Sequence, residues 1–213
     1  LQTTHSSAAI VSIRTRWPES SEKKPPLRTG LTTVTCATAC CLAGAHLLLG
    51  NIHKTSASVT LPKPKGASKH VDLELKLVEH RGPTTAYAET IKDAGDDPDA
   101  THGATIWVTV SLVSELGIKF CAGAGVGTIT RSGLLLEVGQ AAINPVPRQM
   151  MSEHLTHLAQ LYQYTGGFKV TIGVVNGAEI AKKTMNGRLG IVDGLSILGT
   201  SGIVRPFSCS AWI

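Results

Sequence analysis

Residues 71–77 alternate strictly: Val71, Leu73, Leu75 and Leu77 fall on one side of an extended chain, and Asp72, Glu74 and Lys76 on the other. A period of two belongs to a strand with one buried face, so "VDLELKLVEH" is predicted to form one half-buried strand. The runs "SASVTLP", "TTAYAETI", "ATIWVTVSLV", "IKFC" and "FKVTIGVV" read as further strands. The period changes in "NPVPRQMMSEHLTHLAQLYQY", where Met151, Leu155, Leu158 and Tyr162 recur at helical spacing and Pro147 suits a first turn. A second helix is predicted from a cap at Thr32, Thr33 or Thr35 to about Leu49, with Gly50-Asn51 as its stop. Asn176-Gly177 turns into a short helix, "AEIAKK". At the start, "AAIVSIRTRW" reads as a short strand and "PESSEKKPPL" as a polar loop; the tail from Asn186 is strand-like but crowded with glycine. Short strands with two main helices predict an α+β fold.

Composition narrows this picture. Only 16% of the 213 residues are charged against 42% hydrophobic, so a packed core is expected. Aromatics make up 4%, which leaves the core to aliphatic and small residues. The net charge of +5 suits a polyanionic ligand. Lys/Arg runs stop at two and no aromatic platform is interleaved with them, which argues against nucleic acid. Five cysteines without CxxC spacing fit reduced thiols in a cytoplasmic protein. Cys36 and Cys40 lie one turn apart and read as tight packing rather than metal ligands. No apolar run reads as a membrane span and no signal peptide is seen. The chain begins at Leu1, which implies a removed initiator methionine or trimming.

Four stretches carry more polar and glycine residues than turns require. "KDAGDDPDATHG" packs Asp93, Asp96, Asp97 and Asp99 between two predicted strands, and Lys92 offsets part of their repulsion. It reads as a solvated turn or as acceptors for a ligand; calcium-loop spacing is absent. "GAGVG" alternates Gly123, Gly125 and Gly127 after a strand, letting backbone approach a ligand, but neither the dinucleotide nor the phosphate-loop pattern is met. "AINPVPRQM" sets Arg148 just inside a helix start. "NGRLGIVDGLSILGTSGIVRP" places Arg188 and Arg205 on either side of Thr200 and Ser201, with Gly199 and Gly202 beside them. Lys92, Arg148, Arg188 and Arg205 are candidate anion clamps for a multiply charged ligand. Residue chemistry alone leaves an enzyme and a binding module both open.

"LRTGLTTVTCATA", "KDAGDDPDATHGATIWVTV", "GAGVGTITRSGLLLEVGQAAINPVPRQMM" and "NGRLGIVDGLSILGTSGIVRPFSCSAWI" together resemble the signatures of the cobalt-precorrin-5B C1-methyltransferase family of cobalamin biosynthesis, over about Leu27 to Ile213. The resemblance implies transfer of a methyl group from S-adenosylmethionine to C1 of a cobalt-bearing tetrapyrrole, giving cobalt-precorrin-6A. It implies an amino-terminal domain, residues 1–213 with a variable leader over 1–26, in which a mixed sheet packs with helices as in the second domain of a small-subunit ribosomal protein. The family's carboxy-terminal Rossmann-like domain is expected to be absent, since the chain stops after the last signature. A non-catalytic corrinoid-binding domain is therefore the alternative, and a phosphoryl-transfer enzyme is the weaker rival.

On the resemblance, Asp93, Asp96 and Asp97 are the expected catalytic carboxylates. Lys92, Asp99, His102, Arg148, Arg188 and Arg205 are expected to bind the polycarboxylate substrate. Gly123, Gly125, Gly127, Thr200, Ser201 and Gly202 are expected at the methyl donor. Cobalt arrives with the substrate, so no protein metal site is expected. Neighbouring enzymes of the cobalamin pathway are the expected protein partners; neither nucleic acid nor membrane is.

Overall fold

The structure is a computed structural model that describes residues 26–62 and 69–206. The predicted strand "AAIVSIRTRW", the loop after it, the final "SCSAWI" and almost all of the 1–26 leader lie outside the described residues.

Five strands form the central sheet: β4 (Leu77–Gly82), β5 (Thr85–Ile91), β6 (Thr105–Val113), β10 (Gly167–Val174) and β7 (Ile118–Ala122), in that spatial order. All neighbours are antiparallel except β10 and β7, so the sheet is mixed. A parallel pair needs a long crossover. Here it contains β8 (Gly125–Val126), β9 (Thr128–Ile129) and the helix α2 (Pro145–Leu161).

The helix α1 (Thr33–Gly50) covers one face of the sheet. Alternation directs Ala86, Ala88 and Thr90 of β5, and Ile106, Val108 and Val110 of β6, towards it. Its small residues allow close approach: Gly44 faces Val110 and Ala86, and the Cys40 Sγ lies 3.7 Å from the Ile106 carbonyl. Cys36 and Cys41 are equally buried, and loss of hydration pushes both thiols up to about 12. Thr32 caps the first turn and Asn51, at φ 51°, ends the helix, at the predicted Gly50-Asn51 stop. By length and composition α1 matches a membrane span, with mean hydropathy 1.6 over 18 residues, contrary to the expectation from the sequence; 78% of it is buried inside the fold.

On the far side of α1 lie α2 and a separate antiparallel pair, β2 (Ser56–Thr60) and β3 (His70–Glu74). The alternating run 71–80 is thus not one strand. It breaks at Leu75-Lys76 and feeds two sheets, and the inward parity shifts: Val78 is buried while Leu77 is 38% exposed. Helix α2 buries Met151, Leu155 and Leu158 as its spacing predicts, together with Met150. Asn144 stands at its N-cap, and Pro147 falls in the first turn as predicted, two residues after Pro145, which opens the helix.

The tail folds through α3 (Gly177–Ala181) and three two-residue strands, β11 (Ile191–Val192), β12 (Gly194–Leu195) and β13 (Ile203–Val204). They pair with β9, β8 and β1 (Gly30–Leu31) respectively. The last pairing returns the tail to the start of α1.

Candidate functional site

The acidic stretch connects the adjacent strands β5 and β6. Its ends are tied by Lys92 N–H to the Ala104 carbonyl at 2.9 Å and Gly103 N–H to the Lys92 carbonyl at 2.8 Å. Three of the four clustered carboxylates, Asp93, Asp96 and Asp99, accept hydrogen bonds from separate donors. Arg28 grips Asp93 with both terminal nitrogens, at 2.5 and 3.0 Å, and gives its backbone N–H to Asp96 at 2.6 Å. The Arg28 hydrogen bond, with that of Gly95 N–H, draws the Asp93 carboxyl down to about 2. Asp99 accepts the Thr101 N–H and hydroxyl on one oxygen and Lys92 Nζ, at 2.5 Å, on the other. Burial alone raises its pKa; the Lys92 charge and these hydrogen bonds outweigh that, and the net shift is downward. Lys92 is 1% exposed, and Asp97 is buried too. His102 accepts the Ala94 N–H at 3.1 Å, bracing the loop from within.

Lys92 and Asp99 open onto a cleft of about 670 Å³, a size suited to a small molecule or cofactor. Its walls come from distant segments: the start of α1 at Thr32 and Thr33, the α2 cap Asn144, the end of α3 at Lys182 and Lys183, and the tail at Arg188, Thr200 and Ser201. Lys92, Lys182, Lys183 and Arg188 set four cations against the single acid Asp99 in this lining. The positive end of α1's macrodipole adds to the field. Leu195, Leu198, Ile203 and Val204 supply an apolar wall. The lining suits an anion that also carries an apolar body.

Comparison with known proteins now bears on what that anion is. The family model CbiD matches residues 20–206. The chain belongs to the CbiD family. Relatives named cobalt-precorrin-5B C(1)-methyltransferase include those of Marinomonas sp., 59% identical over 92% of this chain and 50% of theirs, and Hahella chejuensis, 57% identical over 92% and 53%. The chain spans about half the length of the curated relatives it matches. The crystal structure of the cobalamin biosynthesis protein cbiD from Archaeoglobus fulgidus aligns with a TM-score of 0.59 at 28% identity, over 87% of this chain and 56% of that one.

Within this CbiD fold the residues expected at the site divide. The cleft brings together Lys92, Asp99, Arg188, Thr200 and Ser201. Asp93 and Asp96 turn instead to Arg28, while His102 braces the loop backbone. Arg148 folds back onto the carbonyls of Ile143 (2.7 Å) and Ala141 (3.3 Å), so its donors fix the loop before α2. Arg205 is exposed and, like Asp97, outside the lining. Gly202 packs on α1, its carbonyl taking the Thr32 N–H and the Thr35 hydroxyl.

The three alternating glycines also serve the protein's own packing. A Cβ at Gly125 would sit 2.1 Å from the Val174 carbonyl oxygen; one at Gly123 would strike the Trp107 ring, and one at Gly127 the Ile191 side chain. The approach they permit is to backbone and core, not to the cleft. Sequence reasoning missed Thr33, Asn144, Lys182 and Lys183 as wall residues. The pair "KK" after a short helix was a visible signal, but its place at a cleft depends on the return of the tail.

Proposed function

We propose that this chain holds cobalt-precorrin-5B for methylation at C1, with S-adenosylmethionine as donor and cobalt-precorrin-6A as product. The observation that carries the reading is the excess of cations in the cleft, which suits a ring bearing several carboxylates, joined to the printed names of relatives above 55% identity. In the reaction the donor's methyl C–S bond breaks as the bond to C1 forms, and S-adenosylhomocysteine leaves. Alignment of methyl and ring carbon supplies much of the rate, because the macrocycle carbon is already electron-rich. Cobalt is cargo of the substrate.

In this reading Lys92, Lys183 and Arg188 take ring carboxylates. Asp99 holds Lys92 Nζ in place at 2.5 Å, and Thr200 and Ser201 offer hydroxyls. Asp93 and Asp96 shape the loop rather than touch the reacting atoms, because Arg28 already claims them. We assign the described α+β fold to the family's amino-terminal domain, akin to the second domain of a small-subunit ribosomal protein, and the reaction to the cytoplasm.

A second reading is favoured by the half-length span: these residues hold the tetrapyrrole, and the donor binds the remainder of the family's length. Calorimetry separates the two. A cobalt-bearing tetrapyrrole polycarboxylate is expected to bind the chain, about tenfold more weakly after Arg188→Ala; absence of binding overturns the cleft assignment. S-adenosylhomocysteine binding to the same chain decides for the first reading, and its failure for the second.

A further inference from the structure

A second recess, of about 530 Å³, lies further along α1, at Leu42 and His46, between β2 and α2. Register shows which way the β2 backbone points. Leu61 N–H bonds to the Lys69 carbonyl and Leu75 N–H to the Thr55 carbonyl, both at 2.8 Å, so Thr55, Ala57, Val59 and Leu61 direct their groups at β3. Ser56, Ser58 and Thr60 therefore direct theirs the other way, into the recess. Thr60 proves the direction, because its N–H reaches His154 Nε2 of α2 at 3.0 Å. His154 Nδ1 in turn donates to the Met150 carbonyl at 2.7 Å, so the ring is a neutral plug over one end of the strand edge. The N–H groups of Ser56 and Ser58 have no such partner among the described residues. An edge strand left open beside an apolar groove is a template for an added strand.

We infer that the groove between β2 and α2 is a docking site for one extended peptide segment of a partner protein, added as a strand to β2. The far wall is α2, so the space admits a single strand; a second copy of this chain would bring its own α1 and α2 against that wall. With Thr60 taken by His154, the open edge runs from Ser56 to Ser58 and offers two N–H groups, enough to pair the middle of a segment of about five residues. Leu42, Leu158 and Leu161 form the apolar lining.

Charge sets the partner's chemistry. Lys54 stands at the start of β2, near His46, whose pKa is lowered by burial and then by the Lys54 charge. His46 bonds to the Tyr162 hydroxyl at 2.8 Å, which places the end of α2 beside Lys54. Glu153 adjoins His154 at the Thr60 end. The groove is thus positive where β2 begins and negative where it ends. An antiparallel segment that matches it starts with a basic residue, ends with an acidic one and is β-branched between.

The test uses the 213-residue chain and the pentapeptide acetyl-Lys-Val-Thr-Val-Glu-amide, followed by amide NMR. The expected result is a shift of the Ser56 and Ser58 amides, with affinity at least about tenfold weaker in Ser58→Pro. That proline removes a groove-facing N–H and no bond to β3, and edge strands tolerate it. Leu161→Glu, at a position 61% exposed, is expected to weaken binding without disturbing the fold. No shift at about 1 mM peptide overturns the proposal, as does binding unchanged in both variants. Protection of the Ser56 and Ser58 amides from exchange in peptide-free chain also overturns it: if lost on dilution the occupant is a second copy, and if retained it is the chain itself.

Discussion

The acidic loop at 92–103 and the glycine loop at 123–127 carry equally loud sequence signals, and they do opposite things. The acidic loop faces its own repulsion by giving Asp93, Asp96 and Asp99 separate donors, and presents one neutralised Lys92–Asp99 pair to the cleft. The glycine loop presents nothing. Its missing side chains make room for Val174, Trp107 and Ile191 of the same molecule. Residue type tells how closely something approaches, but not what approaches.

Substitutions can break this contrast. Gly125→Ala is expected to have the largest effect, about 3 kcal/mol or more by denaturant unfolding, because a φ of +80° and a contact of 2.1 Å to a carbonyl oxygen penalise it together. A loss below about 1 kcal/mol shows that the loop yields and can be approached by other groups. Lys92→Met is expected to cost about 2 kcal/mol, since it leaves the Asp99 carboxylate partly buried without its counter-charge; adding Asp99→Leu should recover part of the loss. Gly103→Ala sharpens the comparison directly. Its φ of +75° resembles that of Gly125, but a Cβ there meets nothing within 4 Å, so only the backbone term of about 1 kcal/mol is expected.

The smallest effect belongs to Asp93→Asn. Both partners of the Arg28 pair are more than half exposed, so screening holds the loss below about 1 kcal/mol. Its sign shows in acid. The folded pKa is depressed to about 2, so the contribution is present above the unfolded value of about 3.9 and disappears as pH falls towards 2. Unfolding curves of wild type and variant should converge over that window; a constant gap would show that charge is not the cause.

The α+β class and both main helices were legible because burial imposes a period, and Met151, Leu155 and Leu158 obey it. The turn at Leu75-Lys76 was hidden, since alternation continues through a bend between two sheets and nothing in "LELKL" marks the parity shift. At the cleft, Lys92 and Arg188 were picked out by charge, while Asp99, Thr200 and Ser201 took their expected roles from the resemblance; all five line it. Arg148 was misplaced because a guanidinium that satisfies carbonyls looks, in sequence, like one awaiting a ligand. Lys182 and Lys183 were missed because only the pairing of β12 with β8, and the packing of α3 beside β12, brings them to the cleft.

The union of β1 with β13 has a consequence in time. Gly202 closes the N-terminus of α1 through Thr35, a residue 167 positions earlier in the chain. During synthesis the sheet has all its strands, and α1 its contacts with the sheet and α2, before the tail is made, while the cleft and the cap of α1 still lack the tail. Long-range closure of this kind is slow relative to local pairing. A chain that ends after β10 would therefore hold every strand of the central sheet but lack the tail that completes the cleft.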